Sequence, residues 1–165
     1  MFNIGEYVVY KKDVCKIKDI KEKHIHDKDY YKLIPIDDPS LSIDVPTETT
    51  CIRKLINKKD VEKIIKLIPT IKEIDCDEKM LENEYRNLLN SDEHINLIKI
   101  IKTTYLRNKK RLDDKKKIGS KDDNYFKKAE KYLYNEFSIV LNMSYDDTKE
   151  YIINRVNNME KNNEK

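Results

Sequence analysis

Tryptophan is absent from this chain, and alanine occurs once, at Ala129. Glycine occurs twice, at Gly5 and Gly119, so there is no glycine-rich loop to cradle a nucleotide phosphate. Neither a GxSxG elbow nor an HExxH helix is present, and no residue set supports a conventional active site. The three cysteines, Cys15, Cys51 and Cys76, lie far apart without a CxxC pair. An odd, dispersed set predicts reduced thiols and a cytoplasmic protein, not a disulfide framework. No stretch approaches the roughly 18 uncharged apolar residues that a membrane span needs. The opening Met1-Phe2-Asn3-Ile4-Gly5-Glu6 has neither a basic n-region nor an apolar h-region, which predicts no secretory signal.

What remains is a charged but core-forming chain of 165 residues. Charged residues make up 39% and hydrophobic residues 38%, and isoleucine alone occurs 22 times. That apolar content is too high for a disordered chain, although the mean hydropathy is -0.84. The net charge of +3 conceals strong local segregation.

Two hydrophobic periods divide the chain. Up to about residue 53 the pattern is that of short strands. Tyr7-Val8-Val9-Tyr10 is the first run and Tyr30-Tyr31-Lys32-Leu33-Ile34-Pro35-Ile36 the third. Between them, residues 14–20 alternate from Cys15 to Ile17 and then lose the beat. Leu41, Ile43 and Val45 share one face of a fourth strand, and residues 50–52 suggest a short fifth. Short antiparallel strands at this spacing predict a small barrel or half-barrel. From Asn57 the period becomes helical. Asn57 with Asp60 opens a first helix that Pro69 ends, and a second spans roughly 77–90. Ser91 is expected to cap a third, with Ile95, Ile98, Ile101 and Tyr105 on one face. Ser120-Lys121-Asp122-Asp123 reads as a capping box for a fourth, and Ser144 starts a fifth. The expected organisation is a barrel domain at 1–56, a helical domain at 57–160 and a frayed tail at 161–165.

Charge is segregated within the helical half. Residues 72–94 hold eight acids and three bases, whereas 105–121 hold eight bases and two acids, a net +6. The bases are Arg107, Lys109, Lys110, Arg111, Lys115, Lys116, Lys117 and Lys121. Such a run can neutralise phosphates without reading sequence. It is equally the composition of a solvated helix end, where the dipole favours cations. His24-x-His26 invites a zinc reading, but no second tight ligand pair accompanies it, so the histidines are taken as surface residues flanking a turn and no metal is assigned.

Met1 to Tyr10, followed by Val14-Cys15-Lys16-Ile17, resembles the opening of CarD-type bacterial transcription regulators. The resemblance continues through Asp29-Tyr30-Tyr31-Lys32-Leu33 and Leu41-Ser42-Ile43-Asp44-Val45-Pro46. It recurs in Lys117-Ile118-Gly119-Ser120 and in Ala129-Glu130-Lys131-Tyr132-Leu133-Tyr134-Asn135-Glu136-Phe137. It implies a five-stranded Tudor-like domain that binds the RNA polymerase β subunit by extending a sheet, and a helical domain that touches promoter DNA. The implied fold class is α+β, and the implied protein is a cofactor-free, non-enzymatic, monomeric regulator of open-complex formation, cytoplasmic and associated with the nucleoid through polymerase. The aligned polymerase contacts are Lys23, Ile25 and Asp44, the last standing where an arginine is common. The family's minor-groove tryptophan has no counterpart, and Ile74 is the one apolar candidate for that wedge. DNA contact is therefore assigned to the basic run, with Lys127 and Lys128 in support, and is expected to be weak and non-specific. The rival reading is a polymerase-binding adaptor that has lost promoter contact and bridges to another protein through its acidic 72–94 surface.

Overall fold

The computed structural model describes residues 1–163. The fold is α+β: five antiparallel strands followed by helices. The chain divides into two compact units, Met1–Ile56 and a helical unit beginning at Asn57.

The first unit is one sheet in the order β4-β3-β2-β1-β5, with β1 Tyr7–Tyr10, β2 Asp13–Ile25, β3 Lys28–Pro35, β4 Ile43–Pro46 and β5 Ile52–Lys54. The edge strands β4 and β5 do not pair with each other, so, of the expected barrel or half-barrel, the sheet does not close into a barrel. Val8, Cys15, Ile17, Tyr31, Leu33 and Val45 form its buried cluster, with Phe2 and Ile20 packed against it. The break in alternation after Ile17 is a bulge: Ile17 pairs with Leu33 and Asp19 with Lys32, so two steps on β2 oppose one on β3. The extra residue returns Ile20 to the core face, opposite Tyr31. Tyr31 also fixes the N-terminus, because its hydroxyl accepts the Phe2 N–H at 3.1 Å. Gly5, at φ +92, makes the turn that brings its own N–H onto the Ile17 carbonyl. The Cys15 thiol is buried and pushed up to about 12 by burial first and by Asp13 and Asp37 second, which leaves it neutral and inert.

In the second unit α1 spans Lys58–Leu67, α2 Glu78–Asn90, α3 His94–Asp113, α4 Ser120–Leu141 and α5 Tyr145–Asn163. Asn57 caps α1 by accepting the Asp60 N–H, and a single 3-10 turn at Ile68–Thr70 follows, with Pro69 inside it. Ser144 caps α5 through the Asp147 N–H. Two expected caps are corrected. Ser91 closes α2 by donating to the Leu88 carbonyl, while α3 starts after Glu93. Gly119, not a side chain of the 120–123 box, is the N-cap of α4. Residues 161–163 of the expected frayed tail continue α5, and 164–165 lie outside the described residues.

The buried stripe of α3 also differs from the expected one. It runs Leu97, Ile100, Thr104; Ile98 of the expected face is buried too, while Tyr105 is 55% exposed. Apolar residues occupy two sides of this helix, and periodicity alone could not say which side meets α4. α3 and α5 both pack along α4, which buries Ala129, Leu133, Phe137 and also Glu130 and Glu136. No helix among the described residues is long and apolar enough to cross a membrane.

Candidate binding surfaces

In the sheet, β2 and β3 form a long hairpin closed by His26 and Asp27, at φ 50 and 62. Both residues are left-handed, as a two-residue type I′ turn requires. A second irregularity between Lys21 and Ile25 places Lys23 at φ 48, with its N–H donated to Asp29 Oδ1 at 3.0 Å. Lys23 and Ile25 therefore sit at the hairpin tip, and Ile25 is 42% exposed despite its apolar side chain. Asp44 lies on edge strand β4, opposite Lys32. Its carboxylate accepts from Lys21 Nζ at 2.8 Å and lies 3.4 Å from His24 Nε2, both reaching across β3. The hydrogen bond from Lys21 holds Asp44 below the usual carboxylate range. Asp44 is thus the anchor of a small polar cluster beside the tip.

The basic run separates into two sets. Continuing the α3 stripe Leu97–Ile100–Thr104 by steps of three and four reaches Arg107 and Arg111, so both arginines occupy core-facing positions. Each donates to Asp122, Arg107 through Nε at 2.9 Å and Arg111 through Nη1 at 2.6 Å. Asp122, in the first turn of α4, is only 3% exposed and also accepts the Tyr85 hydroxyl at 2.8 Å. Burial alone would raise its pKa, but the hydrogen bonds from Arg111, Arg107 and Tyr85 outweigh it and hold the carboxyl below its ordinary value. Lys121 pairs with Glu82 at 3.0 Å and Lys127 with Asp123 at 2.9 Å. The Lys128 ammonium lies over the Tyr125 ring. Among the described residues, Lys109, Lys110, Lys115, Lys116 and Lys117 are exposed and make no ion pair. Only this second set presents free cations.

Gly119 has a steric reason to be glycine. A Cβ there would lie 2.6 Å from Arg111 Nη1 and 2.7 Å from its Cζ. The guanidinium cannot swing aside freely, because Asn108 Oδ1 also accepts from it at 2.6 Å and takes the Gly119 N–H at 2.9 Å. Gly119→Ala is expected to cost about 1–3 kcal/mol in urea unfolding. In an Arg111→Ala background the same change should cost much less, and equal costs in both backgrounds would refute the contact.

A trough of about 1240 Å³ lies over α4 between α3 and α5. The segment 68–77 crosses beside it, joining α1, which packs on α5, to α2, which packs on α3. Lys102 holds this strap by donating to the carbonyls of Ile68 and Ile71. Thr103 Oγ1 accepts the Ile74 N–H at 2.9 Å. Ile74 is half-buried and lines the trough, so it is tied to α3 and does not stand out as a wedge.

Several residues of these surfaces escaped the sequence reading. The pairing of His94 Nε2 with Glu136 Oε1 at 2.8 Å spans 42 positions and has no local signature. The inward turn of Arg107 and Arg111 had none either, because the side of α3 that meets α4 is set by packing and not by the helix's own apolar pattern. Among the described residues no group of three or more His, Cys, Asp or Glu could hold a metal ion. No known protein-family model matches the chain, and no curated protein matches it at a significant level.

Proposed function

We propose that this chain is a non-enzymatic transcription regulator of the CarD type, with a Tudor-like N-terminal sheet that docks on the RNA polymerase β subunit. The observation that carries the reading is the exposed apolar hairpin tip at Ile25, together with the open edge of β4. A free edge offers unpaired N–H and C=O groups to a partner strand, and an apolar residue beside it supplies contact area. The helical unit would then bias promoter opening, and it can do so only through unequal affinity for open and closed complexes. Retention of the chain on immobilised β subunit tests the docking. An absence of binding at moderate salt would remove the reading.

DNA contact, on this reading, belongs to the five unpaired lysines of α3 and the 114–119 loop. If four reach phosphates, the slope of log affinity against log salt is expected at about -3 to -4. Replacing Lys115, Lys116 and Lys117 by alanine should flatten that slope by up to about three units. Ile74→Ala should change DNA affinity little, because Ile74 is already engaged in the trough. A strong loss from Ile74→Ala, or salt-insensitive binding, would contradict this assignment.

The second reading is the adaptor without promoter contact. It is favoured by the inward turn of Arg107 and Arg111 onto Asp122, which removes both arginines from phosphate contact.

A further inference from the structure

We propose that the outer face of the sheet carries a docking groove for an acidic segment of a partner protein, one in which apolar side chains are flanked by carboxylates. The inference stands independently of polymerase docking at the hairpin tip.

Strand register builds the groove. Val8, Cys15 and Leu33 point into the core, so their neighbours Tyr7, Lys16 and Ile34 point outward. These three pair side by side across β1, β2 and β3. At about 4.8 Å between strands, Tyr7 and Ile34 stand about 10 Å apart with Lys16 between them. The N-terminal turn extends the first wall. Phe2 packs against the core and the Gly5 N–H bonds the Ile17 carbonyl, so Ile4 is held on a fixed turn. The second wall continues past β3, where the Ile36 N–H donates to the Val14 carbonyl, and ends at Pro39. The space between the walls is about 700 Å³.

The walls are apolar and uncovered. Ile4 is 59% exposed and Tyr7 36%, while Ile34 and Ile36 are half-buried. Isolated apolar residues on a surface are ordinary, but a contiguous set along one groove marks an interaction site. Walls this open bury too little of a small molecule to hold it, whereas a protein segment can lay several side chains along them.

Charge selects the partner. Lys16 and Lys18, two apart on β2 and both exposed, line the groove, and among the described residues no carboxylate does. Neither lysine makes an ion pair among the described residues; Lys16 Nζ lies over the Tyr7 ring, 5.6 Å from its centroid, which leaves its charge unneutralised. The acids nearest in sequence are turned to other groups. Asp19 accepts the Ile20 N–H at 2.8 Å, Asp38 the Ser40 N–H at 3.2 Å and Glu6 the Asn3 side-chain amide at 3.2 Å. The charge of Asp37 acts on the buried Cys15 thiol. An acidic segment therefore meets two uncompensated ammonium groups, and a basic one meets repulsion. The aliphatic walls reward apolar side chains, which a phosphate backbone lacks, so the geometry favours a protein segment over a nucleic acid. Lys16 and Ile25 lie nine residues apart on β2, about 30 Å at about 3.3 Å per residue, so this contact and the one at the hairpin tip fit on the sheet at once.

The test uses three fluorescent synthetic peptides: leucines flanked by glutamates, the same leucines flanked by lysines, and the glutamates with serines in place of the leucines. Binding to the full chain is read by anisotropy. The leucine–glutamate peptide is expected to bind at least tenfold more tightly than either of the others. Lys18→Glu and Ile4→Ser, both at exposed positions, should each weaken it about tenfold with the circular dichroism unchanged. Replacing Lys115, Lys116 and Lys117 by alanine should leave it unaltered, which separates the groove from the free lysines of the helical unit. The proposal is overturned by no binding of the leucine–glutamate peptide, by equal binding of its serine counterpart, by indifference to Lys18→Glu, or by loss on replacing the three lysines. Binding of a single-stranded oligonucleotide that Lys18→Glu abolishes would overturn it by assigning the groove to nucleic acid. Concentration-dependent dimerisation abolished by Ile4→Ser would do so by assigning it to a second copy. No polymerase enters the assay, so its failure leaves polymerase docking standing.

Discussion

Asp122→Ala is expected to destabilise the helical unit by about 3–5 kcal/mol, the range for breaking a buried ionic cluster from one side. The substitution leaves two guanidinium groups and the Tyr85 hydroxyl facing an empty site, since all three donate to this one carboxylate. Arg107 keeps a second partner in Glu78, at 2.8 Å, but that carboxylate is largely solvent-exposed and contributes little. Urea unfolding of the full chain measures the loss. Should the variant fail to fold, the combined change Arg107→Met, Arg111→Met, Asp122→Leu provides the complementary measurement. An apolar replacement of the whole cluster is expected to restore most of the stability, because the buried charges cost desolvation that leucine and methionine avoid.

The same carboxyl gives the fold an acid limb. Its pKa is lower in the folded state than in the unfolded chain, where a free aspartate titrates near about 3.9. A depressed carboxyl contributes stability that is fully present above the unfolded value. That contribution is lost as the pH falls through about 3.9 toward the folded value. Stability should therefore decline below about pH 4–5, and Asp122→Asn should flatten the decline. Asp44 and Glu82, also held below the ordinary value, sit on the surface and are screened, so they should contribute little to the limb. An identical acid limb in wild type and Asp122→Asn would show that the cluster is not its source.

Ile25→Glu is expected to weaken binding to the RNA polymerase β subunit by about thirtyfold, or about 2 kcal/mol, if Ile25 occupies the centre of that interface. The residue sits at the last pair before the His26-Asp27 turn, opposite Lys28, with its side chain in solvent. Exposure makes the substitution mild for folding, within about 0.5 kcal/mol. A large binding loss without a stability loss can then be assigned to the interface. Lys23→Ala, which removes a rim charge and no buried contact, should cost much less and act mainly through salt dependence. Unchanged affinity of Ile25→Glu at matched stability would reject the tip as the contact.

The division of the fold into strands and then helices was legible because the hydrophobic period changes from two to 3.6. Details failed where a local pattern admits two readings. The beat lost after Ile17 is one extra residue on β2, which restores the alternation and lets the strand run past Ile20 to Ile25. The turn at the hairpin tip was legible in the histidines that flank it; what the charged pattern did not show is that Lys21 to Ile25 continue β2 up to that turn. Ser91 and the 120–123 box carry the residue types of caps. Ser91 finds the Leu88 carbonyl instead, and Asp122 is drawn inward by two arginines from a helix that precedes it. The largest gap concerned the basic run. Net charge counts cations without their partners, and the structure divides this run into members tied to carboxylates and lysines that are free.

The most direct measurement is the affinity of the full chain for purified RNA polymerase β subunit, with and without an upstream-fork DNA, at several salt concentrations. The account predicts saturable binding to the β subunit without DNA, and a modest gain on adding fork DNA that fades as salt rises. Firm binding with no gain from DNA would transfer the helical unit to the adaptor role. No binding to the β subunit under any of these conditions would contradict the account at its centre.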